Sequence, residues 1–138
     1  MRSATTMSSM GVGRAMQLAW LGEAYVLEGR FDEALHHAHE GLALSRSQEE
    51  RGHEAWCVRL LGEIASRREP GNISKGEGYY RQALTLADDL GMRPLAAHCH
   101  SHLAELLEKD RPGQASEHRR AAATMCHEIG MRIVRTGA

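Results

Sequence analysis

This 138-residue chain predicts an all-α fold of stacked helical hairpins, and three observations predict it. The first is a recurring pattern. Leu18, Leu21, Gly22 and Tyr25 are followed by Val58, Leu61, Gly62 and Ala65, and then by His100, Leu103, Ala104 and Leu107, each set at offsets i, i+3, i+4 and i+7. That spacing lays each set on one stripe of an α-helix, with Gly or Ala where a second helix presses close. The second observation is the period: Leu21, Leu61 and Leu103 lie 40 and 42 residues apart. Self-similarity on that scale signals a stacked repeat array, whose usual work is holding another molecule rather than transforming it. The third is composition: 42% of residues are hydrophobic, mostly Ala and Leu, with only two Trp, three Tyr and one Phe. Such a set suits close helix packing rather than a β-rich core.

The elements follow in order. A first helix is expected over about 14–28, ended by Gly29, with Asp32 capping a second over about 33–45. The second stripe opens at Ala34 and continues to Ala38 and Leu42. A third helix spans about 50–68 and is interrupted by Glu69, Pro70, Gly71 and Asn72, since proline lacks the amide donor and glycine favours a turn. Asn72 or Ser74 caps a fourth, whose stripe of Gly76, Tyr80, Ala83 and Leu84 runs to a left-handed ending at Gly91. Pro94 suits the first turn of a fifth helix, and Arg111, Pro112 and Gly113 separate it from a sixth carrying Ala115 and Ala122. The endings Leu90-Gly91-Met92-Arg93 and Ile129-Gly130-Met131-Arg132 repeat 39 residues apart. The expected organisation is a flexible leader over 1–13, a repeat domain over 14–130 with units at about 14–48, 50–90 and 93–130, and a tail over 131–138.

Length and charge bound the function. The chain has the size of one domain, with a core but not two independent ones. Seventeen basic against eighteen acidic side chains leave a formal charge of -1, so no global field draws in nucleic acid or an anionic membrane. The pairs Arg67-Arg68 and Arg119-Arg120 read as solvated helix surface. No stretch reaches the ~20 apolar residues of a membrane span, and no apolar secretory core follows Arg2. Three cysteines, Cys57, Cys99 and Cys126, have no close-set pairing, which argues against a disulfide framework and for a reducing, cytoplasmic setting.

The run Leu18, Leu21-Gly22, Tyr25, Gly29 and Ala34 resembles the tetratricopeptide repeat, which calls for a bulky residue, Leu-Gly and Tyr on its first helix and Ala, an aromatic and Ala on its second. The second unit keeps Leu61-Gly62, Tyr80 and Ala83 but has Ala65 in the Tyr place and about two extra residues at Pro70-Gly71. The third is the most eroded, with His100, Ala104 and Arg119 at its bulky, Gly and aromatic places. The resemblance covers 14–130 and implies three hairpins stacked in a right-handed α-solenoid that binds protein segments. The runs Leu61-Gly62-Glu63-Ile64-Ala65, Tyr79-Tyr80-Arg81-Gln82-Ala83-Leu84 and Gly91-Met92-Arg93-Pro94-Leu95-Ala96-Ala97-His98-Cys99-His100 are similar to the carboxy-terminal repeat arrays of bacterial adenylate or guanylate cyclase-ATPase signalling proteins. That likeness implies a regulatory remnant or subunit. No cyclase metal site and no Gly-rich phosphate loop ending in Gly-Lys-Ser or Gly-Lys-Thr is present, so neither activity carries over.

In the tetratricopeptide family the first helix of each pair lines a concave groove. Mapped here, the resemblance assigns that groove Met16, Ala19, Glu23 and Val26, then Trp56, Arg59, Glu63 and Ser66, then His98, Ser101, Glu105 and Glu108. Glu23, Glu63 and Glu105 recur at equivalent places and form an acidic ladder, broken in sign by Arg59 and anchored by Trp56, which fits a peptide carrying Lys or Arg. The alternative is a solvated acidic face with Trp56 packed between repeats. Ala19 and Glu23 lack the Lys and Asn chemistry with which chaperone-tail binders of this family clamp a carboxylate.

Other chemistry is thin. His98 and His102 sit at i and i+4, and Glu105 on the same side completes a conceivable three-ligand metal set, against which stand the four ligands of structural sites and the ordinary surface histidine. His36, His37 and His39 point in different directions around a helix. His100 is expected in the core in its neutral form. Each cysteine lies inside a helix, away from the strained turns and helix starts that favour a thiolate, and Asp88-Asp89 reads as surface. No enzyme and no cofactor is indicated. Only 131–138 follow the last repeat, so Met125, Cys126, Ile129 and Ile133 are expected to form an exposed apolar patch through which the last helix self-associates or docks a neighbour.

Overall fold

The structure is a computed structural model that describes the backbone of residues 4–130 and the side chains of residues 14–130. Six helices follow one another: α1 (Ala4–Leu27), α2 (Phe31–Ser47), α3 (Arg51–Arg68), α4 (Ile73–Leu90), α5 (Arg93–Leu107) and α6 (Pro112–Ile129), with no strand among the described residues. The expected tail, with Ile133, lies outside the described residues. No helix of the described residues is long and apolar enough to cross a membrane.

The helix ends follow local chemistry. Gly91 takes φ 71°, and the Met92 N–H donates to the Ala87 carbonyl at 2.8 Å, the wrap-around bond that satisfies a helix C-terminus and needs a residue free of Cβ strain. Three boundaries depart from expectation. α1 begins at Ala4, so the segment read as a flexible leader is helical from there on. It holds no proline, and Gly11 and Gly13 weaken a helix by about 1 kcal/mol each without removing its hydrogen bonds. α2 starts at Phe31, capped by the backbone at Arg30, and Asp32 sits in its first turn, where a negative charge complements the helix dipole. Pro112 and Gly113 belong to the first turn of α6 rather than to a linker, since proline there gives up only an amide that has no helical partner.

Successive helices pack antiparallel. Gly41 of α2 meets Ala15 and Leu18 of α1, whereas Gly22 further along α1 meets Ala34 and His37 near the start of α2. In the second hairpin Gly62 lies against Tyr79 and Tyr80 while Gly76 lies against Ser66. In the third, His100 faces His118 and Arg93 faces Glu128. α3 packs on both α2 and α1, and α5 packs on α4 and touches α3. Arg46 to Glu54 at 3.1 Å and Arg68 to Asp32 at 2.7 Å tie α2 to α3 at both ends.

The stripes form the core as expected, from Leu18, Val58, Leu61 and Ala65 to Leu103, Ala104 and Leu107, and from Ala34 and Ala38 to Tyr80, Ala83, Ala115 and Ala122. Leu21 departs from the pattern: it is 45% exposed, whereas Leu61 and Leu103 are 1% and 0%. The cause is positional, because α3 and α5 each have a preceding helix packed against them and α1 has none among the described residues. The apolar patch expected on α6 shrinks for the converse reason. α5 covers Cys126, Met125 packs against the core, and Ile129 alone stays exposed.

Two glycines in helix interiors have opposite surroundings, which sets up a paired test. A Cβ on Gly41 would lie 3.0 Å from Cys57 Sγ, 3.2 Å from the Ala15 carbonyl oxygen and 3.3 Å from Leu18 Cβ, whereas one on Gly78 would meet nothing within 4 Å. Gly78→Ala therefore stabilises by about 0.5–1 kcal/mol through helix propensity. Gly41→Ala loses that gain to overpacking and ends about 1 kcal/mol less stable than the wild type. Urea melts of the two variants shifting in the same direction would contradict the close α1–α2 crossing.

Candidate functional site

The site centres on Arg59, in the middle of α3. Its guanidinium pairs with Glu23 across on α1 and with Glu63 one turn along α3 at 3.4 Å, and lies 5.3 Å from the centre of the Trp56 ring. The side chain is only 7% exposed, and Nε finds no acceptor among the described residues. A buried guanidinium is retained only where counter-charges and hydrogen bonds offset its lost hydration, and the two carboxylates and the indole face supply them. Arg67 joins Glu63 from the next turn at 3.2 Å, giving alternating charges Glu23, Arg59, Glu63 and Arg67 along one face.

This arrangement corrects the acidic ladder. Glu23 and Glu63 are engaged by Arg59, whose side chain bridges two helices where the equivalent Ala19 and Ser101 are too short to reach. Glu105 is 81% exposed, with His102 Nδ1 at 3.7 Å, and Glu108 is taken by Arg119 of α6. Ala19 and Val26 are not accessible groove residues, because α1 is packed by both α2 and α3 and the two side chains join the core. Met16, Ser66 and Ser101 are half-buried, and Ser66 Oγ donates back to the Gly62 carbonyl at 2.8 Å. Trp56 is half-buried against the core, with its ring 6.3 Å from that of the exposed His98.

Between α3 and α5 lies a cleft of about 220 Å³, lined by Glu63, Ser66, Arg67, Tyr80, His102, Glu105 and Leu106. Its floor is the Tyr80 ring stacked on His102, centroids 5.1 Å apart and planes within 4°. Burial, followed by the nearby Arg59 charge, pushes the His102 imidazole down to about 4, so it is neutral at pH 7. Burial also raises the Tyr80 phenol, which keeps its proton. The cleft therefore offers the exposed Glu105 carboxylate, the half-exposed Arg67 guanidinium already paired to Glu63, a neutral aromatic floor and an apolar wall at Leu106.

The other candidates disperse. His98 packs toward Trp56 and His102 onto Tyr80, and no group of three or more His, Cys, Asp or Glu side chains among the described residues is arranged to hold a metal ion. All three cysteines are buried and unbridged; burial pushes Cys57 up to about 11 and Cys99 up to about 12, so both are thiols rather than thiolates at neutral pH. His100 is half-buried, its Nδ1 2.9 Å from His118 Nδ1, and burial lowers both imidazoles. Tyr80, Arg67 and Leu106 line the cleft without belonging to the groove positions that the repeat resemblance assigns. Tyr80 belongs to the core stripe of α4 and is buried, and its place beneath the cleft follows from its stacking on His102 of α5, 22 residues away in sequence. The chain matches no known family model and no curated protein sequence.

Proposed function

We propose that the chain is a non-catalytic protein-interaction module of the tetratricopeptide type, its three hairpins stacked as a right-handed solenoid, and that a peptide segment carrying Lys or Arg binds across α1, α3 and α5. The observation that carries this reading is the cleft between α3 and α5, which gathers Glu63, Ser66 and Glu105 from the expected groove around the Tyr80–His102 stack. Its volume suits a single long side chain. Glu105, free of a strong internal partner, supplies the charge, while Tyr80, His102 and Leu106 flank an aliphatic stem. Arg59 works as scaffold in this reading, holding α1 to α3 and neutralising Glu23 and Glu63, so that specificity concentrates on the α5 side.

Fluorescence anisotropy with labelled basic peptides tests it. Lys/Arg-containing peptides are expected to bind more tightly than their Glu-substituted counterparts, with affinity falling as salt rises. Glu105→Lys, at an exposed position that leaves the fold intact, should weaken binding by about tenfold or more. Equal affinity for basic and acidic peptides, or binding indifferent to Glu105→Lys, would exclude this groove.

A further inference from the structure

Three of the five large hydrophobic side chains that the described residues leave exposed are on one helix: Trp20 at 61%, Leu21 at 45% and Leu27 at 77%, all on α1. They accompany a regular seam. Arg14, Gln17, Leu21 and Ala24 of α1, and Glu28 in the turn that follows directly, are all exposed and spaced by three, four, three and four residues, the a/d spacing with which one helix lies along another. α3 and α5 carry their preceding helices on this flank, and α1 presents it bare among the described residues.

The charge order along the seam selects the occupant. Over residues 14–28 it is basic at Arg14, apolar at Leu21 and Ala24 and acidic at Glu28, so this stretch complements a copy of itself laid antiparallel. Pairing about a twofold axis through Leu21 sets Arg14 of each copy opposite Glu28 of the other and Leu21 on Leu21, whereas parallel pairing would oppose like charges. Trp20 and Leu27, seven residues apart, lie together along one side of the seam and widen its apolar surface. In the single chain Arg14 pairs with Glu40 at 3.5 Å and Glu28 with Arg30 at 3.6 Å, all through well-exposed side chains whose ion pairs rearrange at little cost. We infer that the chain forms a twofold dimer through the α1 seam, with a second copy of itself as the partner. Glu23 turns toward Arg59 instead, so this surface is independent of the peptide cleft.

Sedimentation equilibrium of the full chain over micromolar concentrations reads the result directly. The wild type is expected to dimerise, and Leu21→Glu to weaken the dimer by about tenfold or more while its circular dichroism and melting as a monomer stay those of a folded chain. Arg14→Glu should weaken it as well, and Arg14→Glu combined with Glu28→Arg should restore it. Leu21→Cys should form a disulfide between copies under mild oxidation, because the axis brings the two Cβ atoms together and the native thiols are buried. A wild type that stays monomeric overturns the proposal, as does a dimer indifferent to Leu21→Glu, which would place self-association elsewhere, such as on α6. A dimer that Leu21→Glu breaks but Leu21→Cys does not cross-link would not have its axis at Leu21 and would equally overturn this pairing.

Discussion

Lowering the pH from 7 to 5 is expected to cost the fold about 2 kcal/mol at His102 alone, with the paired His100 and His118 adding to it. Burial is the first cause at His102, and the charges facing it from α3, Arg59 and Arg67, outweigh Glu63; on its own helix His98 acts in the same direction. A histidine whose folded pKa is depressed contributes no penalty above its unfolded value of 6.5. As pH falls below 6.5 the unfolded chain takes up a proton that the folded chain refuses, and stability is lost until the folded value near 4 is reached. His100 and His118 act in the same sense. Their Nδ1 atoms share one hydrogen bond at 2.9 Å, which a doubly protonated pair would replace with two opposed donors.

Urea midpoints measured from pH 7 to 4 check this, with the denaturant slope confirming that the same transition is followed. His102→Phe keeps a ring on Tyr80 and removes the titration, so its profile between pH 7 and 5 should be flatter than the wild type by about 2 kcal/mol. Glu77 provides an internal contrast: its hydrogen bonds to Arg111 and Arg81 hold its carboxyl below the usual range of 4.5, and its contribution, present above that value, is lost only as pH falls beneath it. The limb below 4.5 should therefore persist in His102→Phe. A wild-type midpoint that does not move between pH 7 and 5 would mean that the imidazoles are hydrated in the folded chain.

The helices were legible because their evidence is local: an i, i+3, i+4, i+7 stripe and a following Gly or Pro operate within a few residues, as at Leu61, Gly62 and Gly91. What the stripes left open depends on neighbours distant in sequence. Leu21 and Leu61 carry the same letter at the same repeat position, yet one is 45% and the other 1% exposed, because only α3 has a helix before it to pack against. Arg59 stands in the same register as Ala19 and Ser101, neither of which foretells a buried cation; its burial follows from Glu23, 36 residues away on α1. The candidate metal ligands His98 and His102 share a helix face as their spacing requires, but the rings of Trp56 and Tyr80 claim them.

Arg59→Ala is expected to destabilise the fold by about 3–4 kcal/mol, among the largest effects of any single polar substitution in this chain. Two losses add. The stem and guanidinium are 93% withdrawn from solvent, so truncation leaves a cavity against Trp56 at the α1–α3 contact. It also leaves Glu23 and Glu63 facing the same space with only Arg67, more than half exposed, as counter-charge. The size of the effect reflects the stranded partners, Glu63 at 16% exposed more than the 41% exposed Glu23, rather than the net value of the network, since desolvating Arg59 and Glu63 offsets much of the attraction. Replacing the set by Arg59→Met, Glu23→Gln and Glu63→Gln keeps the stem volume and removes three of the four charges, leaving only the half-exposed Arg67, so the triple variant should recover most of the loss, with Arg59→Met alone falling between. A cost below about 1 kcal/mol for Arg59→Ala would show that this buried pair does not hold α1 on α3. A triple variant as unstable as Arg59→Ala, although its Met fills the stem volume, would show that the attraction within the network, rather than stranded carboxylates or a cavity, carries the stability.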